Sequence, residues 1–145
     1  MKIISHRGNL NGRIPFEENK PEYIISAIRS GYDTEIDLWR IKGKLFLGHD
    51  QPNYLIDLKF LIKYQSKIWI HCKNLAALSY LNSMKNKILN YFWHENDTYT
   101  LTSKGYIWTY PNKTTDKNCI IVLNETNHPP KCFGICSDFP VKYKK

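Results

Sequence analysis

No apolar run in this chain approaches the ~18 residues that a membrane-crossing helix needs, so a helical membrane span is excluded. The opening MKIISHRGN has one Lys and two Ile before it turns polar, too little for the core of a cleaved secretory signal. A cytoplasmic protein is therefore expected. Cysteine is sparse: Cys72, Cys119, Cys132 and Cys136, with no CxxC pair. Cys132-x3-Cys136 lacks a second ligand pair at zinc-finger spacing, so reduced and mostly buried thiols are expected instead of a zinc or disulfide scaffold. Without secretion the Asn-x-Thr sequons at Asn96, Asn112 and Asn124 carry no weight. No internal repeat, low-complexity tract or Pro/Gly/Ser-rich linker divides the 145 residues, which amount to one domain. Acidic residues are the other shortage, with 13 Asp plus Glu against 21 Lys plus Arg and a net charge of +8. That balance suits anionic partners: phosphate esters, nucleic acid or an acidic membrane surface. The lysines are nevertheless scattered, with only a short KYKK tail, and the chain has the Ile, Lys, Asn and Tyr bias of an AT-rich coding sequence. Charge alone names no partner.

What is present is an alternation of short apolar strands and helices. Lys2 to Ser5 reads as a buried strand ending at His6-Arg7-Gly8. Pro21 stands where a helix takes its first residue, and Tyr23, Ile24, Ala27 and Ile28 recur at helical spacing until Gly31 stops it. Asp33 to Trp39 alternates as a strand, Lys42-Gly43 turns, and Lys44 to Leu47 returns. Leu55, Leu58, Leu61 and Ile62 predict an amphipathic helix, Lys67 to His71 a strand, Leu75 to Met84 a helix and Ile88 to Trp93 a strand. Gly105 to Tyr110, Cys119 to Leu123 and Phe133 to Cys136 are three further short strands, now without helices between them. Alternating βα units argue for a parallel sheet or barrel.

Three polar clusters fall at strand ends. His6-Arg7 closes the first strand and His49-Asp50 the return strand. Glu35-x-Asp37 lies in the second, and its spacing puts both carboxylates on one face. With Lys42-Gly43 as the hairpin tip, facing residue numbers sum to about 85, which sets His49 beside Ile36, in reach of Glu35 and Asp37 but nominally on the other face. A three-residue loop, or a chain that leaves the strand at Gly48, would bring it round. Two carboxylates on one face with no neutralising Lys between them suit a hard cation. Two histidines and an arginine beside such a cation are what phosphoryl chemistry needs: one His takes a proton, the other gives one, and the cations hold charge on phosphate oxygens.

HRGN near the N-terminus, then EEN, AIRSGYDTEIDLW and LFLGHD, in this order and spacing over residues 2 to 50, resembles the glycerophosphodiester phosphodiesterase family. Farther on, IWIHCK (Ile68 to Lys73) resembles that family's strand carrying Glu-x-Lys, and GICSDFP (Gly134 to Pro140) its C-terminal TD-x-P strand. The resemblance implies a single domain over 1–145, an α/β fold of TIM-barrel type, and one divalent metal ion. It matches His6 and His49 with the catalytic acid/base histidines, Arg7 with the phosphate-holding arginine, and Glu35 and Asp37 with metal ligands. Glu18 matches the acidic residue of the PENT-like loop, as a partner for Arg7, and Lys73 the substrate-side lysine.

Two departures stand out. His71 occupies the place of the third metal carboxylate; it removes a negative charge and shifts the expected ion from Mg or Ca toward Mn or Zn, or else it stands behind the ligands or contacts the substrate and leaves a weaker metal site. The chain is also short for a TIM barrel of about 250 residues, so the barrel is expected to be shortened, with helices missing from its C-terminal half and a second copy closing the exposed side as a homo-oligomer. The segment Asn90 to Pro111 is dense in aromatics; Trp108 is the candidate to pack against the organic part of the substrate, and His94 a further one. The expected activity is metal-dependent hydrolysis of a small glycerophosphodiester-like substrate, with water or a substrate hydroxyl as nucleophile, the latter through a cyclic phosphate. Two alternatives are a catalytically inactive binding or assembly module derived from the family, and a basic nucleic-acid-binding protein; no specific nucleic-acid motif supports the second.

Overall fold

The computed structural model describes residues 1–85, 87–123 and 128–144, so the sequon at Asn124 and the last Lys of the KYKK tail lie outside the described residues. In chain order the elements are β1 (Lys2–His6), α1 (Pro21–Arg29), β2 (Asp33–Ile41), β3 (Lys44–Leu47), β4 (Tyr54–Ile56), α2 (Leu58–Lys63), β5 (Ile68–Cys72) and α3 (Leu75–Ser83). There follow β6 (Asn90–Phe92), β7 (Tyr99–Leu101), β8 (Ile107–Thr109), β9 (Cys119–Leu123), β10 (Gly134–Ser137) and a 3₁₀ turn at Pro140–Tyr143.

Local chemistry explains the boundaries. Pro21 opens α1, whose Ile24 and Ala27 are buried, and Arg29 sits in its last turn. Lys42 and Gly43 both take positive φ (48° and 78°), the conformation of a two-residue hairpin turn, and β2 and β3 pair antiparallel across it with Leu38 facing Leu47. The helix expected from Leu55 is cut short. Tyr54–Ile56 instead adds to β3 as an antiparallel strand, and the Asp57 side chain then caps α2 by accepting from the Phe60 amide at 2.9 Å. Asn74 caps α3 in the same way through Ala77.

The parallel strands lie in the order β6-β5-β2-β1-β10-β9-β8, with the β3–β4 hairpin joined to the far half of β2 and β7 antiparallel on β8. The expected TIM-type (β/α) barrel is therefore overturned. Among the described residues the protein is a curled, mixed, strand-rich sheet with three short α-helices and no ladder from β6 to β8 to close it. A TIM barrel needs a helix after each strand to cover the outside of the sheet. Here the connections after β6, β8 and β9 hold no helix among the described residues, and antiparallel partners occupy places where crossover helices would be needed.

Alternation sorts the side chains. Ile36 and Leu38 of β2 and Ile68 and Ile70 of β5 face α1, α2 and α3 in the larger core. The opposite, concave face holds Ile4, Trp69, Phe92, Trp108, Ile120 and Cys136. Along the same face, toward the C-terminal ends of the parallel strands, the apolar residues give way to His6, Glu35, Asp37 and His71. No helix among the described residues is long and apolar enough to cross a membrane.

Candidate active site

Parallel register builds the site. It sets His6 of β1 beside Glu35 of β2, and Asp37 of β2 beside His71 of β5. Neighbours in register share a face of the sheet, so four polar side chains from three strands meet on the concave side. Just past β1 the backbone of Arg7 takes φ 54°, an uncommon value for a residue with a side chain, of the kind retained where the surroundings over-determine it. Gly8 follows at φ 92°, where a Cβ would come within 2.6 Å of the Tyr23 ring. His49 arrives by the second of the two routes foreseen. β3 ends at Leu47, Gly48 takes φ 152° while its amide still donates to the Asp37 carbonyl, and the turn brings the His49 ring back over Asp37.

Asp37, fully buried, is the hub. One of its oxygens, Oδ2, accepts from Asn19 Nδ2 at 2.9 Å and from His49 Nδ1 at 3.2 Å, and lies 3.0 Å from Arg7 Nε. The Asp37 amide in turn donates to Asn19 Oδ1 at 2.9 Å. Arg7 donates through Nη1 to Glu18 at 3.1 Å and through Nη2 to His49 Nε2 at 3.3 Å. That last bond makes Nε2 an acceptor, so His49 carries its proton on Nδ1, toward Asp37. His6 donates from Nδ1 to Asp138 at 2.8 Å, which turns its Nε2 toward Glu35, 3.9 Å away. Glu18 also accepts from Asn9 and Arg13, each at 3.0 Å.

The environments separate the two carboxylates of the Glu-x-Asp pair. Burial and then the Asp37 charge push the Glu35 carboxyl well above its usual range. Burial acts on Asp37 in the same direction but loses to the bond from His49 and the charge of Arg7, which hold it well below. Glu18 is held down to about 2, burial being outweighed by the bonds from Arg13, Asn9 and Arg7. Arg7 stays firmly charged, since Asp37, Glu35 and Glu18 more than offset its burial. Cys136, buried next to these carboxylates, has its thiol pushed well above its ordinary value, first by burial, so it is no nucleophile.

The donor set fits a divalent cation. Glu35, Asp37 and His71 each offer a ligand atom, and the three atoms lie within 4.8 Å of one another. Glu35 Oε2 and Asp37 Oδ1 are buried carboxylate oxygens with no hydrogen bond among the described residues, a costly state unless a cation shares them. His71 Nδ1 faces both residues, 3.1 Å from Asp37 Oδ1 and 3.8 Å from Glu35 Oε1. Lys73 Nζ lies 3.8 Å from the same Asp37 oxygen.

The cluster opens into two adjoining hollows of about 380 Å³ each, which share His6, Arg7 and His49. One is walled by Lys73, His71, His94, Glu95, Trp108 and Tyr110, the other by Arg13 and Asp138. Larger hollows of about 640 and 680 Å³ lie elsewhere, but the first is a lysine-lined depression around Asp33 and the second is mostly apolar. Size does not single out this site; the convergence of titratable groups does. All ten residues expected from the sequence, His94 among them, lie in this one region, though Trp108 differs in character from the rest. It is 3 % exposed and stacked on Phe92 at 4.4 Å, a floor of the hollow, whereas Tyr110 at 46 % exposure stands at its rim. Asp138, Asn19, Asn9 and Arg13 were not foreseen. Asp138 stands in the quoted GICSDFP and Asn19 in EEN, but nothing local to either stretch announces a partner more than a hundred residues away or an amide paired to Asp37.

Comparison with known protein families, with curated proteins and with solved structures returned no match.

Proposed function

We propose that this protein is a metal-dependent phosphodiesterase acting on a small, glycerophosphodiester-like substrate. The observation that carries this reading is a pair of histidines, His6 and His49, each with Nδ1 held by a buried carboxylate, that line one hollow together with Arg7, the His6 Nε2 turned toward Glu35 and the His49 Nε2 accepting from Arg7. Such pairing fixes ring orientation and tautomer and supports the imidazolium formed when Nε2 takes up a proton. Glu35, Asp37 and His71 would hold the divalent ion, which when bound supplies positive charge to a phosphate oxygen and acidifies a nearby hydroxyl. Histidine among the ligands favours Mn or Zn over the Mg or Ca that the resemblance implies.

The steps fall to named side chains. Arg7 and Lys73 hold the non-bridging phosphate oxygens. One histidine accepts the proton of the attacking hydroxyl, of water or of the substrate itself, as its oxygen bonds to phosphorus. The other donates a proton to the departing alkoxide as the ester P–O bond breaks. Trp108 and Tyr110 wall the space for the organic part.

The test is release of alcohol or phosphomonoester from a panel of glycerophosphodiesters, using chelator-stripped protein refilled with Mg, Ca, Mn or Zn. Turnover should fall about 10²–10⁴-fold in His6→Ala and in His49→Ala while the fold, followed by circular dichroism, is kept. Folded protein that cleaves no diester with any of the four ions would overturn the reading.

A further inference from the structure

His71 has a hydrogen bond at one ring nitrogen and two carboxylates facing the other, and the bond decides what the facing nitrogen can offer. Its Nε2 lies 2.8 Å from the main-chain carbonyl of His94. A carbonyl only accepts, so Nε2 bears a proton. In the neutral ring Nδ1 then carries the lone pair, aimed at Asp37 Oδ1 and Glu35 Oε1. A lone pair facing carboxylate oxygens is repulsive unless a cation stands between them. Freed from the carbonyl, the neutral ring would move its proton to Nδ1, donate it to Asp37, and cease to offer a ligand atom there.

The carbonyl is held in place by a turn that Asp97 organises. Asp97 Oδ2 accepts from the His94 ring Nδ1 at 2.8 Å, and Asp97 Oδ1 accepts from the Glu95 amide at 3.1 Å. These bonds tie down the ring and the peptide on either side of the His94 carbonyl. Just upstream, Thr100 Oγ1 donates to the Trp93 carbonyl at 2.8 Å.

We propose that Asp97 is a positioning residue: by fixing the turn at His94 it keeps the His94 carbonyl on His71 Nε2 and so commits His71 Nδ1 to the cation. This rests on the reading of Glu35, Asp37 and His71 as metal ligands. The His94 carbonyl is the partner bonded directly to the ligand, of the kind whose loss typically alters affinity by 10–100-fold, and Asp97 acts through it.

The experiment pairs zinc-binding calorimetry with ¹⁵N nuclear magnetic resonance of the His71 ring, whose readout is solvent exchange of the Nε2 proton in metal-free protein. Asp97→Ala should bind Zn²⁺ about 10–100-fold more weakly and exchange the His71 Nε2 proton faster, with its melting temperature little changed. Asp97→Asn, which keeps one acceptor, and His94→Ala, which leaves the Glu95 bond, should fall between the wild type and Asp97→Ala. Wild-type zinc affinity and wild-type protection in Asp97→Ala would overturn the proposal. If the wild type takes up no zinc, the metal reading falls and proton exchange alone decides: protection lost in Asp97→Ala supports the positioning role, and equal protection overturns it.

Discussion

Glu18 shows how much of this site is held by residues that touch neither the proposed ion nor the proposed substrate. Its buried carboxylate accepts from Arg7, Asn9 and Arg13 and has its pKa lowered to about 2. A carboxylate depressed in the folded state adds stability above its unfolded pKa and loses that contribution as pH falls toward the folded value. The window here runs from about 4.5 down to about 2, and the contribution at neutral pH is up to about 3 kcal/mol. Glu18→Gln should therefore lower the urea midpoint clearly at pH 7, and the gap to the wild type should narrow to less than half as the titration is repeated toward pH 3. A gap of equal size at both pH values would mean that the Glu18 charge does not act through Arg7 and Arg13. The residues that could be read from the sequence were those whose neighbours are local. His6-Arg7 and His49 mark strand ends, and Glu35-x-Asp37 needs only the two-residue period of a strand. Asp138 and Asn19 escaped because their roles exist only after β10 has joined β1 and the loop before α1 has folded over β2.

At the scale of elements, strands that bury side chains were legible, and the two without a fully buried residue, β4 and β7, were missed. Cys119–Leu123 matches its expectation to the residue, since CIIVL is apolar throughout. Tyr99–Leu101 was not expected, because its three residues are mostly exposed and pair only with β8. The leucine stripe from Leu55 misled for a related reason. Leu55 points to solvent at 62 % exposure on β4, and the helix starts only where Asp57 supplies a cap. Asn74 plays a larger part than a cap. Besides accepting from the Ala77 amide, it accepts from the Arg40 amide at 3.2 Å and donates to the Arg40 carbonyl at 3.0 Å, so it ties α3 to the end of β2. The adjacent Lys73 amide donates to the Leu38 carbonyl, which sets where the Lys73 side chain begins. Asn74→Ala loses the cap and both bonds to Arg40; about 1 kcal/mol goes with the cap alone, and more with the half-buried Arg40 groups left unpaired. Chemical denaturation should register a loss of about 1–3 kcal/mol. A loss no greater than that of an exposed surface substitution would show that the Arg40 bonds contribute nothing.

At the scale of the whole molecule, the alternation of strands and helices in the first half led toward a barrel, and the assembled sheet departs from it because no local pattern reports how a sheet closes. The parallel core nevertheless runs in chain order from β1 outward to β6, with β10 returning beside β1, and this is what gathers strand ends from both halves around one concave face. Glu35 and Asp37 sit together there, both buried, in a position that repels two negative charges. The metal-free protein relieves this by disfavouring ionised Glu35, whereas a bound cation would let both carboxylates ionise. Binding to the folded state alone stabilises it by about 2.7 kcal/mol at a free ion concentration a hundred times Kd, which for a chain of this size raises the melting temperature by roughly 5–10 °C. Thermal melts of wild type in chelator and then in Mn²⁺ or Zn²⁺ should show that rise. Glu35→Gln should melt in chelator at or above the wild-type temperature, because the neutral amide removes a carboxyl that burial and Asp37 already oppose in its charged form. The same variant should lose most of the rise on adding either ion. A Glu35→Gln protein that kept the full rise would take Glu35 out of the ion's ligand set, and a wild type with no rise in any ion would leave the carboxylate pair without the cation that its geometry invites.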